Sequence, residues 1–559
     1  MTREQHMTTD ERLVRAARKE YRRLERAADM PPATHPHVRR DRDLPVTADD
    51  GEVLLTDHWH APDAHGTTLL IRTPYGREGI AGVAKFVAER GHHVIVQSCR
   101  GTFGSGGAFD PLHDEAADGQ STLRWLRAQP WAAGRVHAWG GSYFGVTQWA
   151  LCDGPERPDA LGIAVSARRF DDAIIYPGRG YGMDTVLAWT FALRMQERPL
   201  LARIGMILRS ATALRRGSVI VPPADAARDA LGTDPPFFRD WLEHADRDDP
   251  WWEPLHFAQD PATVPPVALV AGWQDLFLVE QLKDYAGLVA GGVPTKLVIG
   301  DWLHGAPETS VMGVRDALRA FDSLEHLPDV RVEVTGGVGW REVESWPPPA
   351  RPTVWAATAA GSLREGAADK QAATVTYRYD PTDPTPSEGG RTLGPFESGY
   401  RIQRRRERRD DVVLFTSDAL ADDLLVIGEP RIEISLESTN PRVDLFVRLC
   451  DVDARGRSRT VTDGYVRREL GAANSVTLAL APLAHRFAVG HRLRLQVSSG
   501  AHPVYLRNSG TADPVRDHSR MIPSEQSFEV GGARALRLHL PVAEPTVLRP
   551  MRKAIARRP

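Results

Sequence analysis

RVHAWGGSYFGVTQWAL, residues 135–151, decides how the rest of the chain is read. A short apolar run reaches Gly140 and Gly141, a serine follows, and an apolar helical pattern begins at once. A strand, a tight turn and a helix in that order make the context of a nucleophile elbow, with Ser142 at the turn. Small neighbours relieve crowding there, and the N–H after the serine points toward a developing oxyanion. The general pattern is G-x-S-x-G. Here Phe144 holds the last glycine's place and Gly145 comes one position later.

Working outward, the same alternation continues. VLLTDHWHAP (53–62) reads as a half-buried strand and TTLLIRTPY (67–75) as a buried one ending in a turn. GIAGVAKFVAERG (79–91) is a helix closed by Gly91, HHVIVQSCRG (92–101) a strand entering a Gly-rich loop, and residues 114–131 a helix with an acidic first turn. This succession implies a mainly parallel sheet with helices on both faces, an α/β fold. From 171 to 262 the strand signal fades into helical stretches (185–196, 201–216, 236–245). Strands then resume at PPVALVAGWQDLF and TKLVIGDWLHG. The block reads as an insertion over the C-terminal ends of the strands, where α/β sites lie. After about 325, short alternating strands beginning with RVEVTG and parted by Pro/Gly-rich turns read as an all-β sandwich of jelly-roll type.

The expected organisation is therefore an N-terminal helical arm over 1–39, an α/β catalytic domain over 40–170 and 263–325, a helical cap over 171–262, and a C-terminal β-sandwich over 326–559. The arm is a mixed-charge helix over 9–29, with Leu13, Ala16, Ala17 and Leu24 as a thin apolar stripe.

Composition bounds the function. At about 100–200 residues per domain, 559 residues mean several units. With 42% hydrophobic and 26% charged residues the chain is an ordinary globular one, and a net charge of −3 argues against a general nucleic-acid binder. Cys99, Cys152 and Cys450 form no CxxC pair and no disulfide framework, which suits a reducing compartment. No stretch matches a membrane span, and the charged N-terminus lacks the apolar core of a secretory signal. The expectation is a cytoplasmic protein without nucleic-acid or membrane partners. The N-terminal helix and the β edges allow a homodimer.

A serine nucleophile needs a base, and the base an orienting acid. ALVAGWQDLF ends its strand with Asp275 and LVIGDWLHG ends the next with His304, giving the chain order Ser142, Asp275, His304. Asp301 is the rival acid. It stands three residues before His304, where it would serve its own loop. Acyl transfer also needs two oxyanion donors. The Tyr143 N–H is one, and the Tyr75 hydroxyl, in the loop after an early strand, is the candidate for the other. No zinc motif is present. His92, His93 and His113 lack ligand spacing and there is no HExxH, so neither a catalytic metal nor any other cofactor is expected.

Taken together, IRTPYG, QSCRGTFGSGGAF, AQPWAAGRVHAWGGSYFGVTQW, AGWQDLF and GDWLHG resemble the cocaine esterase / X-prolyl dipeptidyl-peptidase family of serine hydrolases. WLEHADRDDPWW resembles part of that family's helical cap, and DPTDPTPSEGG, VTDGYVRREL and SSGAHPVYLRN resemble its jelly-roll domain. The resemblance spans about residues 40–545. It implies an α/β-hydrolase with a cap and a β-sandwich, Ser142 as nucleophile, His304 as base, Asp275 as acid, and Tyr75 with Tyr143 as the oxyanion hole. Phe277 falls where the family places an aromatic contact to the acyl group, while Trp149 and Trp273 read as core or pocket wall. Two departures stand out. Ser98-Cys99-Arg100-Gly101 lacks the family's acidic residue, so an Arg–carboxylate contact must be lost or supplied from elsewhere. Leu276 replaces the glycine after the acid and reshapes the pocket. Cys99 reads as packing.

The expected activity is cleavage of a carboxylic ester through an acyl-enzyme, acting on a small-molecule ester or amide. The alternatives are an X-Pro dipeptidyl peptidase and a β-lactam acylase or α-amino-ester hydrolase. Both need carboxylates to hold an ammonium group, for which Glu243, Asp246, Asp248 and Asp249 are the cap's candidates. A different class, a carbohydrate- or partner-binding protein on an inactive hydrolase scaffold, would show ligand binding without serine reactivity.

Overall fold

The computed structural model describes residues 30–551 except 31, 133, 323, 325, 326, 328, 367, 395–397 and 471–473. The helix expected over 9–29 lies outside the described residues. The strands β1 (Arg39–Thr47), β2 (Val53–His60), β3 (Thr68–Thr73), β4 (His93–Ser98), β5 (Val136–Gly141), β6 (Ala160–Ala164), β7 (Val267–Gln274) and β8 (Thr295–Leu303) belong to one large sheet. From β4 to β8 the pairings are parallel, in the order β4-β3-β5-β6-β7-β8. The order turns back at β3, so β3 and β5 flank the switch point, where a doubly wound sheet opens a crevice at its strand ends.

Period-two patterning sorts the core. Leu69, Ile71, Val94 and Val96 face helices α1 (Arg77–Ala88) and α8 (Pro307–Asp322). Leu70 and Ile95 face the other way, toward α2 (Glu115–Arg127), α3 (Tyr143–Trp149) and α7 (Leu278–Ala290). Both faces are covered, which is why these strands read as nearly continuous apolar runs.

Between β6 and β7 lie α4 (Met183–Gln196), α5 (Leu200–Gly217) and α6 (Pro236–Glu243). Met183, Val186, Leu187, Trp189, Phe237, Phe238 and Trp241 pack into the same cluster as the α/β core, so this helical insertion is not a separate body. No helix among the described residues is long and apolar enough to cross a membrane.

One expected element goes elsewhere. The strand β9 (Val330–Val334), RVEVTG in the sequence, does not open the sandwich. It pairs in parallel with β8, and β10 (Gly339–Val343) then pairs antiparallel with β9. The cause is α8, a crossover helix that the sequence reading passed over, which returns the chain to the same sheet edge. The remaining strands form antiparallel sheets of nine and four strands. Alternate residues such as Ile432, Ile434, Leu436, Leu445, Val447, Leu449, Leu493, Leu495 and Val497 meet between them. The last strand among the described residues, Arg549–Pro550, comes back to pair with β10.

The sandwich leans on the cap and on the sheet. The Thr392 hydroxyl donates to Asp184 Oδ2 at 2.7 Å, and the Leu506 N–H donates to the Tyr181 carbonyl at 2.8 Å. A side chain on Gly178 (φ 62°) would stand 2.1 Å from the Tyr465 carbonyl oxygen, so only glycine allows that approach.

Candidate active site

Ser142 occupies the turn between β5 and α3 with φ 54° and ψ −137°. That backbone strains an L-residue by about 1–3 kcal/mol and persists only where the surroundings over-determine it. They do so here. The Ser142 N–H donates to the Ala164 and Val165 carbonyls, each at 3.1 Å. A Cβ on Gly140 would lie 1.8 Å from the Phe144 carbonyl oxygen, and one on Gly145 2.6 Å from Ser166 Cβ. The displaced glycine is thereby explained, since the close approach to the segment after β6 falls on residue 145. The Phe144 ring packs instead between Trp139, at 5.7 Å between centroids, and Tyr75, at 6.1 Å.

Asp275 and His304 follow the ends of β7 and β8. His304 Nδ1 lies 2.6 Å from Asp275 Oδ2, and Nε2 lies 3.0 Å from Ser142 Oγ. A carboxylate only accepts, so the Nδ1 proton points at Asp275 and leaves Nε2 as the acceptor facing the serine. Asp275 is fully buried, and its other oxygen accepts the Phe277 N–H at 2.8 Å. Asp301 is turned away from His304. Its N–H donates to Glu333 Oε2 at 2.9 Å, and its carboxylate lies beside the Tyr400 hydroxyl.

Tyr75 comes to the same place from the end of β3. Its hydroxyl faces Ser142 and accepts the Trp189 indole N–H at 2.9 Å. Burial pushes the phenol up to about 12, so it keeps its proton as a donor throughout neutral pH. The Tyr143 N–H belongs to the first turn of α3 and is not spent in that helix's own ladder. The Phe277 ring stands 5.7 Å from the His304 ring and 6.1 Å from Phe170. Trp189 continues this wall, stacked at 5.4 Å on Tyr143 and at 5.8 Å on Trp241. Trp149 is buried core. Trp273 is nearly so, with its indole N–H on the Glu333 carbonyl at 2.7 Å. Leu276 lines a cavity of about 270 Å³ between the α7 start, the 172–185 segment and the sandwich.

Beneath the elbow lies a polar network that the sequence reading missed. The buried Tyr143 hydroxyl donates to Glu115 Oε1 at 3.0 Å and accepts the Leu112 N–H at 2.8 Å. Arg72, also fully buried, pairs with Glu115 at 3.0 Å and donates to Gln97 Oε1 at 3.0 Å. The contact that the 98–101 loop lacks an acid to make is supplied by other elements. Arg100 bonds Asp118 and Asp50, each at 2.6 Å, while the Ser98 hydroxyl accepts from Arg77 at 2.7 Å. Cys99 is buried, and burial together with Glu115 pushes its thiol well above the ordinary range, so it is no nucleophile at neutral pH. Nothing local to IRTPYG or DEAADG announces that Arg72 and Glu115 meet, because the two lie on different elements.

Fold and site geometry define an α/β-hydrolase. Residues 50–306 match the family described as X-Pro dipeptidyl-peptidase (S15 family), and 323–539 match the X-Pro dipeptidyl-peptidase C-terminal non-catalytic domain. The chain is 29% identical over 526 residues to a cocaine esterase of Rhodococcus sp. (strain MB1 Bresler), covering 83% of this chain and 91% of that one. Among solved structures, an aminopeptidase from a marine sediment archaeon (Thaumarchaeota archaeon) superimposes with a TM-score of 0.76 at 19% identity, over 92% of this chain and 98% of that one. An α-amino acid ester hydrolase does so with a TM-score of 0.75 at 19% identity and the same coverage. The chain thus carries the S15 catalytic domain and the C-terminal non-catalytic domain of the X-Pro dipeptidyl-peptidases, is a homologue of cocaine esterase, and is a serine hydrolase.

Proposed function

We propose that this enzyme hydrolyses carboxylic esters through an acyl-enzyme on Ser142. The observation that carries the reading is the single imidazole spanning Ser142 Oγ at 3.0 Å and Asp275 at 2.6 Å. His304 takes the serine proton as Oγ attacks the ester carbonyl, and Asp275 holds the ring and stabilises the imidazolium. The Tyr75 hydroxyl and the Tyr143 N–H receive the oxyanion. His304 then protonates the leaving alcohol, and water, activated by the same ring, releases the acid. Phe277, Phe170 and Trp189 form the apolar wall for the acyl group.

The four cap acids that an amine-capturing reading would need are engaged otherwise. Glu243 pairs with Arg516 at 2.9 Å and Asp248 with Arg179 at 3.6 Å. Asp249 bonds His244 at 2.8 Å and the Trp251 N–H, while Asp246 accepts the Asp248 N–H at 3.1 Å. This favours an ester without an obligatory ammonium over an X-Pro peptide or an amino-acyl ester. The test is fluorophosphonate labelling with peptide mapping, followed by aryl esters and Xaa-Pro-anilides assayed side by side. Stoichiometric label on Ser142, absent from Ser142→Ala, with esters preferred, is the expected result. No label on folded protein would overturn the mechanism, and preference for the anilide would overturn the substrate class.

A further inference from the structure

A second cluster of chemically capable side chains lies at the opposite end of the sheet. The site groups follow the C-terminal ends of β3, β5, β7 and β8. His93, by contrast, begins β4, in register with Thr68 at the start of β3. The two ends are on the order of 20 Å apart at the rise of a strand. There, His58 and His60 stand at i and i+2 on β2, on one face, and Asp41 pairs across from His58 on β1.

Hydrogen bonds order these rings. His60 Nδ1 lies 3.1 Å from the Ala61 carbonyl. A carbonyl only accepts, so Nδ1 carries a proton, which leaves Nε2 as the ring's ligand atom. Nε2 faces a carboxylate, with Asp41 Oδ2 3.1 Å away. His58 Nε2 is engaged with His93 Nδ1 at 3.0 Å. The remaining nitrogen of His58, Nδ1, faces the same Asp41 oxygen at 3.9 Å. Stacking on Trp131, at 3.9 Å between centroids, holds the His58 ring in place.

Three ligand atoms converge, all within 4.8 Å of one another. A second proton on His60 would satisfy only the pair with Asp41. A cation uses all three. We propose that Asp41, His58 and His60 bind one divalent transition-metal ion, zinc(II) foremost, apart from the serine chemistry. Imidazole, imidazole and carboxylate suit that ion. The carbonyl of Ala61 against His60 and the His93 ring against His58 are the outer partners that orient metal-bound histidines. Bonds of about 2.0–2.1 Å set ligand atoms about 3.3 Å apart around a tetrahedral ion, so the side chains close by less than about 1.5 Å. Asp41 is exposed, which leaves the outer coordination position to water. The ion ties β1 to β2 at the sheet edge.

The test uses the full chain without a histidine tag, stripped by chelator, dialysed and titrated with zinc chloride by calorimetry and with cobalt(II) by visible absorption. The expected result is one saturable ion per chain, a cobalt d–d band, a raised melting temperature, and ester turnover unchanged by stripping. Asp41→Asn and His60→Gln should abolish the site, and His93→Gln should weaken it by about 10–100-fold. The variants at 41 and 60 alter partly solvated side chains, so they decide the matter even if His93→Gln fails to fold. Equal ion number and affinity in wild type and the Asp41→Asn/His60→Gln double variant would overturn the proposal. Turnover lost on stripping and restored by zinc would overturn the separation from catalysis.

Discussion

Replacing Tyr75 by phenylalanine removes one oxygen and changes little else in shape. That oxygen faces Ser142 and accepts the Trp189 indole N–H at 2.9 Å. Two costs follow, and they are separable. Losing one oxyanion donor costs about 100- to 1,000-fold in kcat, or about 3–4 kcal/mol of transition-state stabilisation. Leaving the Trp189 N–H without its acceptor costs about 1–3 kcal/mol of stability. The ground-state ester lacks the charge that Tyr75 stabilises, so KM should move far less than kcat. Initial rates on an aryl acetate give kcat and KM, and urea melts give stability. Trp189→Phe completes the argument. It keeps the phenol but frees it to turn, so kcat should fall by less than in Tyr75→Phe, and adding it to Tyr75→Phe should cost little more. A folded Tyr75→Phe enzyme with kcat within about threefold of wild type would refute the oxyanion role. Fully additive effects in the double variant would refute the coupling through Trp189.

Asp275→Asn should lower kcat by on the order of 10⁴-fold by disturbing the imidazole tautomer, whereas Asp301→Asn should leave it near wild type; esterase rates on the two variants decide between the carboxylates. Gly145→Ala puts a Cβ 2.6 Å from Ser166 Cβ. It should cost about 1–3 kcal/mol in overpacking, read by urea melts, and should displace Ser142 enough to abolish most fluorophosphonate labelling. Burial holds His137 and His518 at about 4 and His502 at about 3, below the ordinary histidine value. Between about pH 6.5 and pH 4 the unfolded chain therefore binds more protons, and stability falls as pH falls. The loss approaches about 3 kcal/mol for His137 at pH 4, and His137→Gln should flatten the pH dependence of the urea midpoint relative to wild type.

The α/β half was legible because each parallel strand is buried on both faces and ends in glycine or a turn, so IRTPYG, AWGGSYFG and GDWLHG mark their own strand ends. The chain order of Ser142, Asp275 and His304 could be read for the same reason. What escaped was non-local. VRVEV has the same period-two pattern whether it joins the sandwich or the hydrolase sheet, and only α8 carries it to β8. Gly145 was visible as a departure, but its reason lies in Ser166, across the turn. Trp189 sits in an ordinary helical run 114 residues from Tyr75, and no spacing reveals their hydrogen bond. The Arg72–Glu115–Tyr143 network likewise joins three elements that sequence shows only as a strand end, a helix start and a turn.

The pairing of Arg549 and Pro550 with β10 changes what kind of part the sandwich is. The chain leaves the hydrolase sheet at that edge and comes home to the same strand, with Arg549 closing on Glu344 at 3.1 Å. The β module is thus a bridge standing on two feet at one abutment, not a pennant on a single pole. A body so mounted resists swivelling. A protein engineer who wants the hydrolase alone has to make two cuts and a splice, since trimming from the carboxyl end removes the strand at Arg549–Pro550 before it frees anything.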